Sequence, residues 1–178
     1  MPVHVAFLRA INLGATRAVP MATVRAAAEA AGGTGVETHL NTGNVRLTSP
    51  LRSRAKVEAA LEAALEAAAG FAVPTIVLSP AELREVVARA DTIDAERGSD
   101  AGHHVSFLKA EAPADAVAAL RAAAGPGESA VVAGRAVHLL LGAEYHRARL
   151  TNALVERHLG VATARRITVV REVVRRWC

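Results

Sequence analysis

Cysteine is all but missing from this chain: Cys178, its last residue, is the only one. A disulfide within the chain is excluded, and so is a zinc site built on several thiolates. That usage fits a reducing compartment, and the cytoplasm is the expectation. Aromatic residues make up only 3% of the sequence. Its core must therefore be aliphatic and rich in alanine, and few rings are left for stacking on bases. No apolar run approaches the ~20 residues that span a bilayer. The opening M-P-V-H-V-A-F has neither a charged leader nor a long apolar stretch, so no secretory signal and no membrane association are expected. Several motifs are absent too. There is no G-x-G-x-x-G, no Lys after a glycine run, no H-E-x-x-H and no G-x-S-x-G.

What is present is ample material for a core. Hydrophobic residues make up 52% of 178, with a mean hydropathy of +0.24, enough for one ordinary domain or two small ones. The basic residues are 19 Arg and 2 Lys, a bias typical of a GC-rich genome. Residues 147–178 hold eight Arg against Glu156 and Glu172, a local charge of +6 that leaves the rest at −2. A basic end of this kind attracts nucleic acid or another polyanion, or forms a solvated helical face.

Periodicity predicts the elements. Val3 to Arg9 alternates as a strand, and Met21 to Ala31 has helical spacing behind Pro20 and stops at Gly32-Gly33. Val36–Asn41 and Asn44–Thr48 read as strands around the turn N-T-G-N. Ser53–Ala69 is an amphipathic helix with Glu58, Glu62 and Glu66 off its apolar stripe, and Val73–Leu78 is a fourth strand. The first 79 residues thus read β-α-β-β-α-β, a ferredoxin-like unit.

A helix opens at Ser79-Pro80, and residues 91–102 read as a polar linker. Then come a strand His104–Lys109, a helix Pro113–Ala124, strands Ser129–Ala133 and Ala136–Leu141, and a helix from about Arg147 to Leu159. Val161–Ala164 is a candidate short strand before the last helix. The expected architecture is α+β: two ferredoxin-like units, residues 1–79 and 103–178, joined by 80–102. The second is incomplete or decorated by its terminal helix. The shared element order is not matched by any residue-level repeat.

Topology then points to a site. In such a unit the first and third strands pair antiparallel, so the loop Arg9–Val19 and the turn Asn41–Asn44 should share one rim of the sheet. The positive end of the Met21 helix opens there. Arg9, Asn12, Gly14, Asn41, Thr42, Gly43 and Asn44, with Arg165, are the candidate ligand-binding residues, for a phosphate or carboxylate. The competing role is structural: Asn12 and Asn44 satisfying backbone groups across two turns.

The same residues carry a resemblance. L-R-A-I-N-L-G, V-P-M and T-H-L-N-T-G-N-V, with L-G-V-A-T-A-R at residues 159–165, resemble the bacterial domain-of-unknown-function family numbered 1697. The resemblance implies an α+β fold and brings no activity, cofactor or catalytic residue. Two departures stand out. Members usually have Gly where this chain has Ala10, and Asn then Trp where it has Arg166 and Ile167.

Other chemistry is thinly supported. Seven histidines lack metal-ligand spacing, and the adjacent His103 and His104 should face opposite sides of a strand. His4, Glu37, His39 and Arg46 are expected together on one polar sheet face. The functional expectations are a binding module for a small polar or anionic ligand, or polyanion binding through Arg171, Arg175 and Arg176. An enzyme of unidentified class is the third.

Overall fold

The computed structural model describes residues 1–13, 17–97, 102–142 and 144–178. The chain divides into two units, residues 1–82 with 177–178, and residues 83–176.

The first unit is built from β1 (Val3–Leu8), α1 (Met21–Ala30), β2 (Thr34–His39), β3 (Asn44–Thr48), α2 (Arg54–Ala69) and β4 (Thr75–Leu78). Its sheet has the order β2-β3-β1-β4 with every pair antiparallel. That is the ferredoxin-like arrangement predicted. Ala6, Leu8, Val45, Leu47 and Val77 face α1 and α2, where Val24, Ala28, Val57, Leu61 and Leu65 complete the core. Each such Leu or Val contributes about 1.5–3 kcal/mol by leaving water. Gly70 ends α2 with a φ of +79°, a conformation that glycine adopts without penalty.

The edge strand β4 is covered in an unexpected way. Glu58 and Glu62, one turn apart on α2, accept the outward N–H groups of Val77 (2.9 Å) and Thr75 (2.8 Å). Glu58 is buried, not placed toward solvent, because an edge N–H without a partner is costly.

The second unit repeats the plan: β5 (His103–Leu108), α4 (Ala114–Ala122), β6 (Ser129–Ala133), β7 (Ala136–Leu140), α5 (Asn152–Leu159) and β8 (Ala162–Arg166). Its order is β6-β7-β5-β8, again antiparallel throughout. The unit is complete, since β8 pairs along β5 from Leu108↔Ala162 to His104↔Arg166. α3 (Pro80–Arg97) precedes it and α6 (Ile167–Trp177) follows it.

Four expectations need correction. Residues 91–97 are helical rather than linker, because Ile93 prolongs the buried stripe of Leu83, Val86 and Ala90; residues 98–101 lie outside the described ones. The helix expected from Arg147 starts only at Asn152. Glu128 takes the N–H groups of Arg149 (2.7 Å) and Leu150 (2.9 Å), and Thr151 caps α5 by accepting from Leu154 N–H. His4 pairs with Leu47 on the helix-covered face, whereas Arg46 and Glu37 lie opposite Val5. The polar face therefore holds Glu37, His39 and Arg46 without His4, whose ring nitrogen sits 3.2 Å from Leu51 O. Finally, the units do share local sequence. V-A-F-L-R-A (5–10) and V-S-F-L-K-A (105–110) occupy the same place, and Leu8↔Thr75 in the first sheet corresponds to Leu108↔Ala162 in the second.

Candidate functional site

The rim where β1 ends and β3 begins brings the two predicted corners together. Phe7 pairs with Asn44, and Leu8 N–H donates to Gly43 O at 2.8 Å. A Cβ on Gly43 would stand 2.7 Å from Leu8 Cβ and 2.9 Å from Ile11 Cδ1, at a φ of +81°. Only glycine fits so close an approach.

Asn12 ties the loop to the turn. Its amide donates to Asn41 O (2.6 Å) and to Val19 O (3.1 Å), and its Oδ1 accepts from Val19 N–H (2.8 Å). Its own N–H donates to Arg17 O at 2.8 Å. These bonds hold Asn12 at a φ of +53°, a region Asn tolerates better than most residues. Ala10 also sits at positive φ, +55°, where the family resemblance leads one to expect Gly.

Asn44 is buried and donates to His39 O (2.8 Å) and Thr42 Oγ1 (3.2 Å) within the turn. The asparagines thus position backbone. Arg9 leaves β1 at this rim with its N–H on Pro74 O (2.9 Å). Arg17 donates to Ala72 O (2.7 Å) and lies over the Phe71 ring at 4.5 Å. Gly14 lies outside the described residues. Arg165 belongs to the second unit, where it donates to Thr163 Oγ1 (2.9 Å) and Ala164 O (2.8 Å). Burial lowers its pKa to about 10.

The other end of the rim is the start of α1. Its N-cap is Pro20, no side chain caps its first turn, and no acidic residue stands there. The second unit supplies a control. α4 also follows a proline, Pro113, but carries Asp115 in its first turn. Its strand-to-helix connection takes five residues, 109–113, against twelve, 9–20, in the first unit. The position of Gly43 is held there by Arg135, which accepts Leu108 N–H at its carbonyl (2.8 Å) and donates from its guanidinium to Leu108 O (3.0 Å).

The basic C-terminal residues are paired with acids. Arg171 donates to Asp94 (2.6 Å) and Asp91 (2.8 Å), and Arg175 and Arg176 both bind Glu172. Hydrogen bonds from Arg175 and Arg176 bring the pKa of Glu172 to about 2. Phe7, the ring nearest the centre of the first sheet, is fully buried and offers no stacking surface. Among the described residues no helix is long and apolar enough to cross a membrane.

A family model described as "Protein of unknown function (DUF1697)" matches residues 1–138. No curated protein matches the chain. Among solved structures it is similar to the conserved bacterial protein SP0830 from Streptococcus pneumoniae, at 18% identity and a TM-score of 0.72, with 97% of each chain covered. At that identity the likeness is one of fold.

Proposed function

The chain belongs to the DUF1697 family, and we propose that the rim of its first sheet binds a small carboxylate or phosphate at the start of α1. One observation carries the proposal. The same topology appears twice, and the second copy places Asp115 in the first turn of its helix while the first copy leaves that turn bare. A helix N-terminus attracts negative charge through its unpaired N–H groups and its dipole. The second copy answers that attraction from within the chain. The first leaves it to something else, beside a loop that carries Arg9 and Arg17.

The length of that loop supports the same reading. Five residues are enough to connect strand to helix in this fold, so a connection twelve residues long, with Asn12 bonded to Arg17 and Val19 within it, is not a requirement of topology. Long connections without secondary structure are commonly functional. Asn12, Asn41, Thr42, Gly43 and Asn44 serve as scaffold, and the contacts to the anion fall to α1 N–H groups and to arginine. Binding to nucleic acid through the C-terminal arginines is the weaker proposal, because each of Arg171, Arg175 and Arg176 already holds a carboxylate. Mobility-shift titrations at several salt concentrations would reveal it as a steep salt dependence.

The test is a thermal-shift panel of phosphate, nucleotides and carboxylates on the wild type and on Ala22→Asp. Ala22 is exposed and takes the place in α1 that Asp115 takes in α4. At least one anion should stabilise the wild type, and Ala22→Asp, carrying its own anion, should lose that response while remaining folded. Arg9→Ala should weaken it. No response across the panel, or an equal one in Ala22→Asp, overturns the proposal.

A further inference from the structure

The two histidines that open β5 meet different fates. His103 lies on the face away from α4 and α5, fully buried, and both its ring nitrogens are engaged. Asp94 Oδ1 lies 3.0 Å from its Nδ1, and His138 Nδ1 lies 3.1 Å from its Nε2. Arg171 donates to the other oxygen of Asp94 at 2.6 Å. His104 takes the opposite face, the one that Leu108 and Leu139 share with α4 and α5. Its ring is engaged on one side only.

The repeated topology gives His104 a counterpart. His4 holds the same place in β1, paired with Leu47 as His104 is paired with Leu139. His4 is buried, and its Nε2 meets Leu51 O, a carbonyl of the connection that follows β3. That connection has five residues, 49–53, whereas the matching one after β7 has eleven, 141–151. The longer path carries a short 3-10 turn, Tyr145–Arg147. His104 is half-buried there, and it turns Nδ1 to Gly102 O at 3.2 Å.

That one bond fixes the tautomer. A carbonyl only accepts, so Nδ1 carries the hydrogen. Burial above all, and then the charge of Arg166, lower the pKa of His104 against the pull of Gly102 O. The ring is neutral at neutral pH, and Nε2 keeps a lone pair. That nitrogen has no hydrogen-bond partner among the described residues.

Two groups converge on it. Arg166 stands directly opposite His104 on β8, so the two side chains leave the sheet on one face, with Cβ atoms about 4.5–5.5 Å apart. The Tyr145 ring lies 6.0 Å from the His104 ring, and its centre lies 5.5 Å from Arg166 Cζ. A cation over an aromatic face is held there by the charge distribution of the ring. Arg166 and Tyr145 are exposed. An acceptor and a cation thus stand together at a point that solvent reaches.

We propose that His104 Nε2 and Arg166 bind a small oxyanion that carries its own proton, of which inorganic phosphate is the simplest. The P–O–H group donates to Nε2, and the charged oxygens pair with Arg166. A metal cation is repelled by Arg166 and finds a single ring nitrogen. A neutral donor leaves the guanidinium unused. Sulfate, with no proton to give at neutral pH, sets an acceptor against an acceptor. Gly102 and Tyr145 are positioning residues: one fixes the tautomer and the other the guanidinium.

Phosphate and sulfate, alike in shape and differing in a proton, provide the test. In 15N-labelled protein at pH 7 and matched ionic strength, His104 Nε2 should resonate as an unprotonated nitrogen. It should shift saturably on titration with phosphate and stay in place with sulfate. Arg166→Gln, a change at an exposed residue, should abolish the shift with the fold intact. Tyr145→Ala should weaken phosphate binding about 2–5-fold, the worth of an exposed cation–ring contact, and Tyr145→Phe should keep it. Ala22→Asp should leave the response intact, which separates this site from the rim of the first sheet. A protonated Nε2 at pH 7, equal responses to the two ions, no response to phosphate, or a response that survives Arg166→Gln overturns the proposal.

Discussion

Two copies of one topology handle polar groups in opposite ways. In the first unit the polarity is gathered at a sheet rim, in turns that hold each other through Asn12 and Gly43. In the second, the matching rim is closed by one buried Arg135, and the polarity lies in the middle of the sheet, where His138 pairs with Val105 as Arg46 pairs with Val5. The fold therefore demands neither device. What it demands is the shared part: the strand order, the aliphatic face under the helices, and an acid that covers the edge strand. Glu62 does this for Thr75 and Glu156 for Ala162, at N–H distances of 2.8 and 3.2 Å. What differs between the copies is where function is to be sought.

The contrast at the rim breaks most sharply at Gly43. Gly43→Ala forces a Cβ against Leu8 at a positive φ and should cost about 3 kcal/mol, from overpacking and left-handed strain together. Arg135→Ala, at the matching place, loses a charged hydrogen bond and should cost about 2 kcal/mol. Denaturant melts of both variants would show whether the first rim is the tighter. Asn12→Ala removes three side-chain bonds at a half-buried site, with an expected loss of about 2 kcal/mol. Ala10→Gly has the opposite sign, since relief of a φ of +55° should stabilise by about 1 kcal/mol. A melting temperature no higher than that of the wild type would contradict it.

The smallest effect at neutral pH belongs to His138, and it grows with acid. Its folded pKa of about 4 lies below the ordinary 6.5, so between these values the unfolded chain binds the extra proton. Stability should hold above pH 6.5 and fall as the pH drops toward 4. His138→Leu should flatten that limb. Loss from the depressed carboxyls, such as Asp94, begins only at lower pH. An acid limb unchanged in the variant would mean that His138 titrates normally.

Much of this was legible in the sequence, and the failures have physical causes. Period-two runs and Gly or Pro stops located seven strands, because alternation survives whichever face is buried. Face assignment failed at His4, since β1 is buried on both sides: Val5 and Phe7 are as hidden as Ala6 and Leu8. Helix ends failed where a distant carboxylate decided the matter, as Glu128 did for Arg149 and Leu150. The meeting of Asn12 with Asn41 followed from topology, whereas the contrast between Ala22 and Asp115 needed the two units in register. The signal was available in V-A-F-L-R-A and V-S-F-L-K-A. The Asp94–His103–His138 chain left no trace in spacing, because its members come from three elements that only the folded chain brings together.

The most direct measurement is a 15N amide titration with phosphate and a set of small carboxylates, following the first turns of α1 and α4 side by side. Saturable shifts at Met21, Ala22 and Thr23, with none at Ala114, Asp115 and Ala116, are the result expected. Shifts of equal size in both turns, or in neither, would contradict an anion site at the first rim.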